Sequence, residues 1–284
     1  MRLVMAAFDL TPVGRRVVER ARLLAEQFGT HLSLLHVLEQ GEDRFLSDDE
    51  EKFLAAHRHT AAASLVDWVA GRTSAPVDFQ VIKGAPSTQV ARLGREADLL
   101  LTGTSAIDAA QLGPVTRRLA RKARPNVLAV RRQPRVPYRR VVAAVDLSEH
   151  SRKAVDLAAT LAPGAELTVV YALTTRADVL LGQSRLFEED AASRARDRLD
   201  RAQNALDDFT APWGDSVRNL IIEGPPSQAV GEAARRRGAD LVTVASRGAG
   251  ATSLVLLGGT AEEIMSSAPS DVAVARVEGA FRRP

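Results

Sequence analysis

Two stretches of this 284-residue chain match each other segment by segment in the same order, and that repetition constrains the fold more than any other feature. Residues 4–11 read VMAAFDLT and residues 141–148 read VVAAVDLS, an offset of 137. Lys83-Gly84-Ala85-Pro86-Ser87 returns as Glu223-Gly224-Pro225-Pro226-Ser227 at an offset of 140. Ala97-Asp98-Leu99 returns as Ala239-Asp240-Leu241 at 142, and Val127 to Arg131 (VLAVR) as Val272 to Arg276 (VAVAR) at 145. An offset that grows steadily along the chain marks two copies of one unit, separated by short loop insertions. The expected domains are residues 1–132 and 139–278, each of ordinary domain size. The connector Arg132-Gln133-Pro134-Arg135-Val136-Pro137 is too short to let them tumble independently.

Within the first copy, short apolar runs fall near residues 3–8, 32–37, 77–82, 98–102 and 126–131. In the second they fall near 140–145, 166–171, 217–222, 240–245 and 271–276. These runs read as apolar throughout rather than alternating, the pattern of strands covered on both faces. Between them lie amphipathic stretches such as 13–28, where Val13, Val17, Ala21, Leu24 and Phe28 share a helical face. Long charged intervals at 47–70 and 185–209 each predict one long surface helix. The expected fold class is α/β: two tandem doubly wound domains, each a five-stranded parallel sheet flanked by helices. The last strands of the copies, Val127–Val130 and Val272–Ala275, are apolar edges that invite pairing. They are expected to meet and make the copies an internal pseudo-dimer; whether two chains associate further as a homodimer stays open.

Composition narrows the chemistry. Hydrophobic residues at 45% and charged residues at 26% suffice for packed cores. Without cysteine, disulfide scaffolds, CxxC redox centres and cysteine-built zinc sites are excluded. Asp9 interrupts the first apolar stretch, and nothing approaches the roughly 18 apolar residues of a spanning helix, so a soluble, cytoplasmic protein without a membrane partner is expected. A net charge of +3 and 4% aromatic residues argue against nucleic acid as a partner. His57 and His59 fall on different faces of a helix, a poor metal pair, and no metal site is expected. The chain has neither a Gly-x-x-x-x-Gly-Lys-Ser/Thr phosphate loop nor a nucleophile elbow.

In doubly wound sheets, ligands bind beyond the carboxyl ends of the strands, where the strand order reverses. After the first strand of each copy comes an aspartate, Asp9 or Asp146, with Thr11 or Ser148 two residues on. Such a carboxylate can receive a ribose hydroxyl or a base amino group, or help hold a metal; equally, Asp and Ser cap the helix that follows. After the fourth strand of the second copy comes Ala245-Ser246-Arg247-Gly248-Ala249-Gly250-Ala251-Thr252, and Gly258-Gly259-Thr260 opens the next helix. Glycines let a backbone approach a phosphate closely, and N–H groups at a helix start bind anions. Arg247, Ser246 and Thr260 add donors. The alternative is a loop whose glycines serve turns alone.

Both copies resemble the universal stress protein domain, and the resemblance runs along nearly the whole chain. It rests on the strand ending in Asp-x-Ser/Thr, the Gly-x-Pro after strand three, the Ala-Asp-Leu opening strand four and the glycine loop. The family's nucleotide-binding branch has Gly-x-x-Gly, nine residues, then Gly-Ser or Gly-Thr. The second copy matches at Gly248, the nine-residue span and Gly258. It departs at Ala245, which replaces the first glycine, and at Gly259, which takes the hydroxyl position with Thr260 one residue later. The first copy keeps Gly103 but has Ala106, a span of six residues and Pro114, which lacks an N–H.

The resemblance implies ATP or a related adenine nucleotide, with or without magnesium, bound in the second copy and serving a regulatory stress-response role. The implied nucleotide-binding residues are Asp146, Ala172, Ala245, Arg247, Gly248, Gly258, Gly259 and Thr260. Asp9 and Val37 match Asp146 and Ala172 in the first copy, which reads as a structural partner. No residue is placed as a general base, so nothing beyond slow hydrolysis is expected. The family's other branch implies a nucleotide-free scaffold, and either branch leaves a protein partner unidentified.

Overall fold

Each apolar run becomes a strand and each amphipathic stretch a helix. A computed structural model describes residues 1–39, 48–104, 112–174, 188–246 and 257–276. The first half runs β1 (Leu3–Phe8), α1 (Pro12–Phe28), β2 (His31–Leu38), α2 (Asp48–Ala70), β3 (Val77–Lys83), α3 (Pro86–Leu93), β4 (Leu99–Gly103), α4 (Pro114–Lys122) and β5 (Asn126–Val130). The second runs β6 (Arg140–Val145), α5 (Glu149–Leu161), β7 (Glu166–Leu173), α6 (Glu188–Thr210), β8 (Val217–Glu223), α7 (Pro226–Arg237), β9 (Leu241–Ala245), α8 (Gly259–Ser267) and β10 (Asp271–Ala275). Local chemistry sets the ends. Thr11 caps α1 by accepting from the N–H groups of Val13 and Gly14, and Gly29 ends it in the left-handed region at φ +57°. Among the described residues, no helix is long and apolar enough to cross a membrane.

The strands form one ten-stranded sheet in the order β3-β2-β1-β4-β5-β10-β9-β6-β7-β8. In each half the order reverses beside the first strand, between β1 and β4 and between β6 and β9. Pairing inside each half is parallel. The two final strands meet: β10 lies antiparallel to β5, with Ala273 opposite Leu128. Parallel pairing buries the inner strands on both faces, and β4, β5, β9 and β10 are buried almost throughout. The outermost strands depart from the expectation of unbroken apolar runs. β3 (VDFQVIK) and β8 (VRNLIIE) mix exposed and half-buried positions, because an outer strand is covered less completely.

One face of the sheet carries a single apolar cluster built through both halves, from Val4, Leu34 and Val66 to Val141, Leu161 and Leu206. The other face carries two. One gathers Met5, Leu35, Val90 and Leu119 in the first half. The other is built around α7, α8 and β9, and takes in Leu112, Ala120 and Ala129 from the first half.

Equivalent residues hold the seam. Asn126 Oδ1 accepts from the Arg276 N–H at 2.8 Å, and Asp271 Oδ1 accepts from the Arg131 N–H at 2.7 Å. Asp271 is fully buried and also accepts from the Arg132 N–H (2.9 Å) and the Tyr138 hydroxyl (2.7 Å). Arg20 reaches it from α1, Nε to Oδ2 at 3.4 Å, and stacks on the Tyr138 ring at 3.9 Å. Burial lifts the Asp271 carboxyl above the usual carboxylate range, while Arg20 and the three donors pull it back.

Candidate functional site

Where β6 ends, Asp146 emerges at the point where the strand order reverses, with β7 on one side and β9 on the other. Its Oδ1 accepts from the N–H (3.1 Å) and the hydroxyl (2.5 Å) of Ser148. Ser148 Oγ accepts in turn from the Ser151 N–H (3.2 Å), capping α5. Leu147 completes the turn at φ +61°, a conformation that side chains rarely adopt. The first half builds the same unit. Asp9 Oδ1 accepts from the N–H (3.1 Å) and hydroxyl (2.5 Å) of Thr11, which caps α1. Helix capping therefore explains Asp-x-Ser/Thr in both halves. Surroundings distinguish them.

In the second half, Asp146 opens onto a cavity of about 170 Å³. Its walls are apolar, with Ala144, Val170, Val230, Val244 and Ile264 among them. Tyr171 and Pro226 add to its lining, and Gly258, Gly259 and Thr260 contribute the start of α8. The Gly258 N–H donates to the Ser246 carbonyl at 2.9 Å, which ties the two ends of the glycine loop and sets α8 beside the end of β9. No side chain caps α8 at Gly258. Of the residues singled out from sequence, Asp146, Ala172, Ala245, Gly258, Gly259 and Thr260 line this one cavity. Arg247 and Gly248, with Ala106 of the first half, lie outside the described residues. Sequence reading overlooked Tyr171, Val230 and Ile264, which carry no motif, and used Pro226 only as a mark of the repeat.

The glycines divide into two kinds. A Cβ on Gly103 would lie 2.5 Å from Val13 Cγ1, so this glycine is required by the packing of α1 on β4. A Cβ on Gly258 would meet only the Ser246 carbonyl oxygen, at 3.8 Å, and one on Gly259 would meet nothing within 4 Å. Intramolecular packing does not account for either.

At matching positions the first half has larger or inward-bonded side chains: Leu35 for Val170, Val37 for Ala172, Thr102 for Val244 and Thr116 for Ala261. Thr116 Oγ1 lies within hydrogen-bonding distance of the Gly103 carbonyl and, at 3.1 Å, of the Thr102 hydroxyl.

Comparison with known proteins agrees with this duplication. The profile of the Universal stress protein family matches twice, over residues 1–131 and 137–276. A universal stress protein of Thermus aquaticus, from the 3′ region of its QAH/OAS sulfhydrylase, is 32% identical over 142 residues, 49% of this chain and 99% of its own. A universal stress protein from Archaeoglobus fulgidus superposes with a TM-score of 0.68 at 18% identity, covering 96% of each chain. A functionally unknown protein from Pseudomonas aeruginosa does so at 0.68 and 19%, covering 98% of this chain and 93% of its own. At such identities the superpositions establish the fold.

Proposed function

The chain belongs to the universal stress protein family, and from that premise we propose that its second half binds ATP or a related adenine nucleotide in a regulatory role. The observation that carries the reading is the cavity joining Asp146 to a helix start whose two glycines have no packing reason. The residues fit such a ligand part by part. The apolar walls between β7 and β9 suit a base, and Asp146, oriented by Ser148, suits a ribose hydroxyl or a base amino group. The uncapped first turn of α8 presents N–H groups to phosphates, and Thr260 adds a hydroxyl. In this reading residues 139–278 are the binding domain and residues 1–132 its degenerate partner.

The test is direct. Purified protein is denatured, and the supernatant is chromatographed for adenine nucleotide. Stripped protein is then titrated calorimetrically with ATP, with and without magnesium. One site per chain is expected. Neither released nucleotide nor heat of binding would overturn the reading and favour a nucleotide-free scaffold.

A further inference from the structure

The seam between the halves reaches the candidate site. On α4 of the first half, Arg121 Nη2 lies 2.8 Å from Oε1 and 2.7 Å from Oε2 of Glu262. Glu262 stands in the first turn of α8. A carboxylate there favours the helix by opposing its dipole, but it also repels any anion held at the same helix start. Arg121 supplies the compensating charge. Nearby, Leu112 and Ala120 of the first half belong to the same apolar cluster as Val230, Val244, Ala261 and Ile264, which wall the cavity.

Hydrogen bonds cross the seam both ways, Arg276 Nη2 donating to the Leu119 carbonyl of α4 at 2.7 Å, but the shared apolar cluster is the second half's. Among the described residues, the first half's own cluster on this face contains none from the second half. Nor can the ion pair recur by symmetry: the position matching Glu262 is Arg117, and that matching Arg121 is Ser266. The first half thus lends apolar packing and a charge to α8, behind its neighbour's cavity.

We infer that α4 is a built-in positioning element of the second half's site, with Arg121 neutralising Glu262 so that the start of α8 accepts phosphate. The inference rests on the nucleotide reading above. Both side chains are partly exposed, 45% for Arg121 and 27% for Glu262, so the effect belongs to low ionic strength.

The experiment compares wild type, Arg121→Gln, Glu262→Gln and the double variant, each titrated with ATP and with adenosine at low salt. Arg121→Gln is expected to weaken ATP binding about two- to fivefold, the range for one charge at a helix end, and to leave adenosine unchanged. Glu262→Gln should not weaken ATP, and the double variant should recover wild-type affinity or better. A merely structural contact would give no such recovery, because the double variant also lacks the ion pair. Unchanged ATP affinity in Arg121→Gln, equal losses for ATP and adenosine, or no recovery in the double variant would each overturn this inference alone. Failure of wild type to bind either ligand would overturn the nucleotide reading and this inference with it.

Discussion

A methyl group at Gly258 would touch only one carbonyl oxygen, at 3.8 Å, and the backbone there has an ordinary φ of −64°. Gly258→Val should therefore leave the circular dichroism and melting of the nucleotide-free protein unchanged while abolishing ATP binding. Retained affinity would remove the start of α8 from the site. Gly103 makes the opposite case. An added Cβ meets Val13 Cγ1 at 2.5 Å and Val17 Cγ2 at 3.3 Å, so Gly103→Ala should cost about 1–3 kcal/mol in denaturant unfolding, as overpacking does. ATP affinity should not change, because this glycine serves packing in the half outside the proposed site. Sequence alone treats the two glycines alike, as phosphate-loop positions. What separates them is the side chain lying opposite, and that is set by the packing of α1 on β4.

At the scale of elements, the sequence was most legible where burial is complete. Runs such as LLLTG and DVAVA become β4 and β10 because parallel strands covered on both faces need apolar residues at nearly every position. The outer strands β3 and β8 read from sequence as apolar runs like the others, yet Asp78, Gln80 and Arg218 show that their surroundings are only partly apolar. The site was legible where it carries motifs, at Asp146 and Gly258-Gly259-Thr260. Its walls were not, because Val230 and Ile264 look like any helix residue facing a core. The same comparison sets the two halves apart at matching positions. Thr102 and Thr116 stand where Val244 and Ala261 line the cavity, and their hydroxyls bond inward. Transplanting them as Val244→Thr with Ala261→Thr should weaken ATP binding about tenfold or more, roughly 1.4 kcal/mol or above. Calorimetry of wild type should give one site per chain. Two sites, or an unaffected double variant, would show that wall volume does not separate the halves.

Across the whole molecule, two domains become one sheet through β5 and β10, and a fully buried carboxyl, that of Asp271, sits at that seam. Nothing local predicted its network, since Tyr138 lies 133 residues away along the chain and Arg20 lies on α1 of the other half. The signal present was a lone carboxylate opening an apolar strand, with Asn126 at the matching position. That pairing also suggests the test. Asn126 makes the equivalent bond to the Arg276 N–H without a charge, so Asp271→Asn can keep an acceptor for the Arg131 N–H while losing the ionisable group. Burial holds the Asp271 carboxyl above the usual range in the folded protein, against Arg20 and its three donors. In the unfolded chain it titrates near the ordinary value, about 3.9. Between those two values the folded state binds more protons than the unfolded state, so the stability this group contributes falls as pH rises. The contribution is full below about pH 3.9 and is lost as pH passes the raised native value. An asparagine cannot titrate. The stability of wild type relative to Asp271→Asn, measured by urea unfolding from pH 4 to pH 7, should therefore be greatest at the acid end and shrink towards neutrality. An advantage that grows with pH would mean that Arg20 and the donors outweigh burial, and that the two halves are joined by an ion pair stabilised as such.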